Sequence, residues 1–300
     1  MTRNPWFGPF LLSLSACAAP PAKTATSQQP DEQAWTLDAQ AGTVAYQEKR
    51  YADCSRLYLR ASEHAPGRAK ADAFVSAGDC ELKIAHRQEA MALFRKALET
   101  SPSYCDDAIE DANLQRDLAG DPQWIELVAA FKPACAAYLE SINKELRDIY
   151  RADQDDRRVA WEAIGWTVVN PRDAARRERV TQLETSGQLR TADDYYHAAM
   201  IFQHGSDESS YAGAFRLATH AVELDPSFVK ARWLAAASKD RYLMARSEPQ
   251  LYGTQFKRID GKWILWPVDP RTTDRQRALW GVESLESLKE QAIRKNAKSP

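Results

Sequence analysis

The sequence has few of the features that mark the common enzyme and nucleic-acid-binding families. Its 300 residues include only 12 glycines, and neither a dinucleotide-binding nor a phosphate-binding glycine motif occurs. The motifs H-E-x-x-H, G-x-S-x-G and paired C-x-x-C are also missing, so we expect no metal and no cofactor. A formal net charge of −2 provides no basic surplus, and we expect no nucleic-acid partner. These absences favour a non-enzymatic function but leave an enzyme open.

The N-terminal residues combine one cation with a short apolar segment. Arg3 precedes an apolar run of nine residues, too few to span a bilayer about 30 Å thick. The run ends in Leu14-Ser15-Ala16-Cys17, which resembles the bacterial lipobox. The resemblance implies a signal peptide over residues 1–17 and a lipid on Cys17; Ala18 implies a periplasm-facing position at the outer membrane of a Gram-negative cell. The alternatives are an ordinary signal peptide with an incidental cysteine and a buried helix.

Four cysteines follow Cys17, and all of them lie in the first half of the chain. An even number of cysteines in an exported protein favours disulfides, because the compartment is oxidising. Pairing in sequence order, Cys54–Cys80 and Cys105–Cys135, would join neighbouring helices. The alternative is four small buried thiols.

A repeat with a period of 36 residues relates two stretches of the first half. It aligns Gly42 with Gly78, Tyr58 with Phe94 and Pro66 with Pro102, and a similar spacing of small residues returns before Pro226. A glycine on one helix would leave room for an aromatic ring on the next, and the proline would end that helix. The pattern resembles the tetratricopeptide repeat, which implies helical hairpins and a groove that holds a protein or peptide partner. A generic helical bundle is the alternative.

These patterns predict a mainly α fold in which tetratricopeptide-like hairpins precede an α-helical domain with one β-hairpin. Residues 18–34, rich in Ala, Pro, Ser, Thr and Gln, predict a flexible tether. The repeats are assigned to 35–135 and the helical domain to 136–290, with the β-hairpin at 253–267 around the turn dipeptide Asp-Gly. Residues 291–300 are assigned to a polar tail.

Four short polar motifs follow one another in the second half. They are similar to those of a family of bacterial domains of unknown function, and the similarity covers roughly residues 146–285. The resemblance implies a set of candidate site residues but no reaction. The motif residues are Asp153, Gln154 and Arg157 in DQxxR; Gln203 and His204 in QH; Asp240 and Arg241 in DR; and Tyr252, Gly253, Thr254 and Gln255 in YGTQ.

His204 is the candidate general base of this set, because an imidazole titrates near neutral pH. Asp240 and Arg241 could orient it, and Gln255 could donate to a developing negative charge. The alternatives are a structural polar network and a ligand-binding pocket. A two-histidine metal site with His197 would lack a clear third ligand.

The acidic residues near these motifs have a simpler interpretation. Residues 136–158 predict one long helix with a polar face, and we expect its acidic residues to be solvated or to cap helices. The same expectation holds for the acidic pair in the capping-box-like segment that starts at Thr191. The residues concerned are Asp153, Asp155, Asp156, Asp193 and Asp194.

The leading functional prediction is a membrane-anchored periplasmic lipoprotein that acts as a protein-interaction scaffold through its helical repeats. The second is a hydrolase-like or small-ligand-binding domain that uses His204, Asp240, Arg241 and Gln255. The third is an immunity-type lipoprotein that neutralises a toxin. The repeats favour a scaffold, whereas the four ordered polar motifs favour a site.

Overall fold

A computed structural model of the protein describes residues 30–105, 117–118, 120–159 and 163–298. Within these ranges the chain forms twelve α-helices and one two-stranded antiparallel sheet, so the predicted mainly α fold with a single β-hairpin is confirmed. The predicted signal peptide and Cys17 lie outside the described residues. In the described part, no helix is both long and apolar enough to cross a membrane.

The first four helices form two antiparallel hairpins: α1 (Pro30–Gln47) with α2 (Tyr51–His64), and α3 (Gly67–Lys83) with α4 (Arg87–Thr100). In each hairpin, a glycine on the first helix leaves room for an aromatic ring on the second. A β-carbon at Gly42 would lie 2.9 Å from the Tyr58 ring, and one at Gly78 would lie 2.7 Å from the Phe94 ring. Only glycine permits this approach without a shift. Because α1 begins at Pro30, the predicted tether ends earlier than residue 34.

Two disulfides cross-link the described segments of this half. Cys54 on α2 is bonded to Cys80 on α3. Cys105, which follows α4, is bonded to Cys135 on α5 (Pro122–Ser141). All four cysteines are buried among the apolar residues that hold the hairpins together.

The prediction of one helix over residues 136–158 is wrong. Helix α5 ends at Ser141, and α6 (Lys144–Asp155) begins two residues after buried Ile142 turns the backbone into an extended conformation. The Asn143 side chain accepts from the Leu146 backbone N–H at 2.9 Å and caps α6. The boundary predicted between residues 135 and 136 lies inside α5. Helix α7 (Trp166–Thr185) follows.

A third hairpin consists of α8 (Ala192–Gln203) and α9 (Glu208–Leu224), and α10 (Val229–Ala245) packs on α9. In this hairpin the aromatic ring is on the first helix and the glycine is on the second, the reverse of the first two hairpins. Phe202 on the first helix is the ring, and a β-carbon at Gly213 on the second would lie 2.8 Å from it. The hairpin geometry therefore survives with the opposite residue pattern, and its core includes buried Ala214 and Ala218.

The first and second halves of the chain pack against each other through Arg68. Its guanidinium lies 3.8 Å from the centre of the Phe228 ring and donates to Asp193 at 2.8 Å and to Ser103 at 2.8 Å. Asp193 is therefore an ion-pair partner and not a solvated residue. Asp194 takes the expected capping role: it forms a capping box with Thr191 at the start of α8.

The C-terminal part adds the β-hairpin and two helices. Strands β1 (Phe256–Ile259) and β2 (Lys262–Leu265) are joined by Asp260 and Gly261, whose φ angles of 49° and 78° match a type I′ turn. Helices α11 (Asp274–Leu279) and α12 (Leu285–Lys298) follow. Residues 291–298 are helical and do not form a tail, because α12 packs on β2 and Asn296 pairs with the Trp263 backbone at 2.7 and 2.8 Å.

Candidate functional site

His204 and Asp153 form a hydrogen-bonded pair at the centre of the candidate site. Asp153 near the end of α6 is fully buried, and its Oδ2 lies 2.8 Å from Nδ1 of His204, the residue that ends α8. The His204 side chain is 19% exposed. A carboxylate can only accept a hydrogen bond, so the contact favours a proton on Nδ1 and leaves the lone pair of Nε2 available. The chain thus pairs His204 with Asp153 and not with Asp240.

The remaining residues of the DQxxR motif support Asp153. Gln154 Nε2 donates to Asp153 Oδ2 at 2.8 Å, and Arg157 donates to Asp153 Oδ1 at 3.0 Å. Arg157 also pairs with buried Asp173, which binds Arg176 at 3.0 Å. Buried carboxylates need such partners, since an unpaired charge is costly away from water. The prediction of a solvated or capping Asp153 is therefore wrong.

Asp155 and Asp156, the two other acids of this stretch that were predicted to be solvated or to cap a helix, differ from Asp153. Asp155 is exposed and pairs with Arg158 at 3.1 Å, as expected for a solvated residue. Asp156 binds Arg172 at 2.9 Å and Arg176 at 2.6 Å and so belongs to the ion-pair network between α6 and α7.

Asp240 organises the YGTQ segment. Its two carboxylate oxygens accept hydrogen bonds of 2.7–3.2 Å from four consecutive backbone N–H groups, residues 251–254, and one of 2.8 Å from Thr254 Oγ1. Burial raises the pKa of the Asp240 carboxyl, and these hydrogen bonds act in the opposite direction. Burial and the Asp240 charge raise the pKa of Tyr252 to about 12. The predicted role of Asp240 as a partner of His204 is wrong, because its carboxylate oxygens accept hydrogen bonds from the YGTQ segment instead.

Arg241 lies against the peptide that joins Gln203 to His204. Its Nη1 donates to the Gln203 carbonyl at 2.7 Å and its Nε to Gln255 Oε1 at 3.2 Å, and its guanidinium carbon lies 5.7 Å from the centre of the Tyr211 ring. Among the residues that the structure describes, no carboxylate pairs with it. Burial, and to a smaller degree the nearby Arg157 charge, lower the pKa of this guanidinium.

Gln255 is a structural residue of the site. It is buried, and its Nε2 donates to the Ala237 carbonyl at 3.3 Å and to Thr254 Oγ1 at 2.9 Å. The prediction that it donates to a developing negative charge is wrong, since both of its amide hydrogens have acceptors. Sequence reasoning missed Gln250, whose side chain binds the Gln255 backbone at 2.8 and 3.0 Å. No motif marked that residue.

The four polar motifs therefore meet in one network. His204 contacts Asp153, Arg241 contacts the Gln203 backbone and Gln255, and Asp240 holds the segment that contains Gln255. Gln203 itself is buried, and its Oε1 has no hydrogen-bond donor in the described part of the chain. The arrangement provides a basic imidazole nitrogen, a cation with neutral partners and a buried acceptor.

His197 lies in the helix that precedes His204 but has a different environment. It is buried, and its ring stacks on Tyr150 with the two centroids 4.3 Å apart. Between residues 30 and 298, apart from the undescribed gaps, no group of three His, Cys, Asp or Glu side chains is placed to hold a metal ion.

The predicted groove of the repeats is partly covered by the chain itself. Residues 278–291 lie against α1, where Gln40 Nε2 donates to the Val282 carbonyl at 2.8 Å and Gln47 Nε2 to Glu283 at 2.6 Å. A partner that binds the repeats must use the remaining surface or displace this segment.

Comparisons with known proteins found no relative of this chain. The chain matches no protein-family model, and neither the curated proteins nor the solved structures gave a significant match. The three resemblances drawn from the sequence, to the lipobox, to the tetratricopeptide repeat and to the domain family of unknown function, therefore stay predictions.

Proposed function

We propose that the C-terminal half of the protein binds a small anionic ligand beside His204. One arrangement carries the proposal: buried Asp153 orients the imidazole, while the adjacent guanidinium of Arg241 meets only neutral acceptors in the described residues. A half-buried cation without a carboxylate partner favours an anion at its N–H groups. Carboxylates and phosphates have the oxygen geometry that a guanidinium binds best.

Hydrolysis is the reaction that these groups favour. His204 Nε2 would take a proton from the water molecule that attacks an ester substrate, and Arg241 would stabilise the negative charge that develops on the substrate oxygen. The bond to the leaving alcohol would then break, and the imidazolium would give its proton to the departing oxygen. Asp153 would accept from Nδ1 throughout and stabilise the imidazolium, as the aspartate does in serine-protease triads.

The test compares wild type with His204→Gln and Arg241→Gln, using inorganic phosphate and acetate as probes in calorimetry. Both variants are expected to bind about tenfold more weakly, since each loses a charged or strong hydrogen-bonding group. His220→Gln is the matched control, because His220 is 43% exposed, pairs with Glu223 and packs edge-on against the Tyr195 ring. Absence of saturable binding to wild type, or equal binding by all variants, would contradict the proposal.

A second readout separates binding from catalysis. If the site hydrolyses esters, wild type should turn over p-nitrophenyl phosphate or p-nitrophenyl acetate, and His204→Gln should lower the rate by about 10²- to 10⁴-fold. Ligand binding without turnover in wild type would identify a binding site and not an enzyme.

We further propose that the protein is held at the outer membrane, facing the periplasm, by a lipid on Cys17. The proposal is supported by the lipobox-like segment that ends at this residue. Cys17→Ser is expected to move the protein from the membrane fraction to the soluble fraction, because stable anchoring needs acyl chains. Retention of the variant in the membrane fraction would contradict the lipid anchor.

A protein-interaction scaffold is the second candidate function, and an open groove along α2 favours it. The groove has a volume of about 480 Å³ and is lined by residues of α2, including Arg56, Leu59 and Arg60, together with Glu81. A mixed-charge surface around one leucine suits a polar protein segment. Arg56→Glu with Arg60→Glu should abolish recovery of a cross-linked envelope partner, whereas Arg158→Glu, an exposed arginine elsewhere, should not.

A further inference from the structure

A second, separate cavity lies between the repeats and the C-terminal segment. It has a volume of about 260 Å³ and is bounded by α1, α3 and α10 on one side and by residues 278–291 on the other. The segment that closes it is fixed to α1 by the Gln40 and Gln47 hydrogen bonds and by Arg294, which donates to Gln47 Oε1 at 2.8 Å. The cavity is therefore a built feature of the interface between the two parts.

Trp35 presents an unused donor at this cavity. The side chain is 3% exposed and lines the cavity, yet its Nε1–H has no hydrogen-bond acceptor in the described residues. Buried tryptophan N–H groups nearly always have an acceptor, since an unmade hydrogen bond is costly away from water. A bound molecule with an acceptor at this point would remove that cost.

The charged side chains around the cavity narrow the class of ligand. Arg232 also lines it; its Nη1 donates to the Leu279 carbonyl at 3.2 Å, and its guanidinium carbon lies 5.7 Å from the centre of the Trp35 ring. Asp72 and Glu283 line the same cavity. An anion alone would meet two carboxylates, and a cation alone would meet Arg232. A zwitterion carries both signs of charge, so each of its ends can lie beside a lining group of opposite charge.

The remaining lining is apolar and includes Ala39, Ala73 and Val229. We propose that this cavity binds a free amino acid with an apolar side chain, its carboxylate toward Trp35 Nε1 and Arg232 and its ammonium toward Asp72. The volume of 260 Å³ equals that of about nine liquid water molecules at about 30 Å³ each, which suits a ligand with about nine non-hydrogen atoms. Leucine has this size.

The experiment uses the whole protein with L-leucine and two analogues as probes. 4-Methylpentanoate lacks the ammonium group, and 3-methylbutylamine lacks the carboxylate. In ¹H–¹⁵N spectra, leucine should shift the indole N–H signal of Trp35, which is assigned by its loss in Trp35→Phe, and should leave that of Trp263 in place. Calorimetry should give binding at least about tenfold weaker for each analogue, because each loses a charge-assisted contact.

Three variants separate the contacts. Trp35→Phe should weaken leucine binding about fivefold, and Asp72→Asn should weaken leucine binding about tenfold. Asp72→Asn should bind 4-methylpentanoate at least as tightly as wild type does, because the variant loses a carboxylate that repels this anion. Ala73→Leu should abolish binding by filling the cavity, with circular dichroism as the check on folding. Trp263→Phe is the control. The proposal is overturned if about 10 mM leucine leaves the Trp35 signal of wild type unmoved, or if folded Trp35→Phe binds leucine as tightly as wild type.

Discussion

Replacing Asp240 with asparagine is expected to lower the free energy of unfolding by about 3 to 5 kcal/mol, because hydrogen bonds to a buried charge are among the strongest in a protein. Asp240 is fully buried, and its oxygens accept from the backbone of residues 251–254 and from Thr254 Oγ1. Asparagine has a similar shape, but its side-chain N–H groups would face the backbone N–H groups that donate to Asp240 in the wild type. The YGTQ segment should then lose its attachment to residue 240.

Urea denaturation at neutral pH measures the effect. Asp269→Asn is the matched control, since Asp269 pairs with exposed Arg271 and its replacement should leave the urea midpoint nearly unchanged. The YGTQ segment also contains Gln255, which accepts a hydrogen bond from Arg241. Asp240→Asn should therefore weaken phosphate or acetate binding at the His204 site as well. An Asp240→Asn protein as stable as wild type would contradict the role assigned to this carboxylate.

Removing the Cys54–Cys80 disulfide is expected to cost about 3 to 4 kcal/mol, and removing Cys105–Cys135 a similar amount. The bonds close loops with sequence separations of 26 and 30 residues, and cross-links of this span restrict the unfolded chain. Without both of them, the loss would approach the whole stability of a typical domain, about 5 to 15 kcal/mol.

The measurement is urea denaturation of wild type with and without dithiothreitol, beside the double variant Cys54→Ala with Cys80→Ala. The double variant should lose about half of the stability that the reductant removes from wild type. A thiol assay on the unfolded, unreduced protein should find none of these four cysteines free. If reductant leaves the urea midpoint unchanged, the disulfides do not stabilise the fold.

Several local features could be predicted because they depend on neighbours in the chain. Asp260-Gly261 permits positive φ angles at both turn positions, so the β-hairpin followed from two residues. The spacing of Gly42 from Tyr58, and of Gly78 from Phe94, placed a ring opposite a gap on consecutive helices. At these positions the local preferences and the tertiary packing agree.

The predictions that proved wrong concern residues whose structure depends on contacts with distant parts of the chain. Residues 136–158 have helical propensity throughout, but burial of Ile142 and the Asn143 cap divide them. In the sequence Asp153 resembles solvated Asp155 beside it, and only the packing of α6 against α8 brings it to His204. The same packing decides which of two aspartates orients the imidazole.

The amino-acid sequence by itself determined that the chain is mainly helical, that hairpins repeat and that four polar motifs follow one another in the second half. These properties depend on periodicity and spacing, which are local. The tertiary structure alone decided that the motifs converge, that Asp240 holds a loop while Asp153 binds His204, and that residues 278–291 close a cavity over Trp35. Those contacts join residues far apart in the chain, and their free energy exists only when the helices have packed.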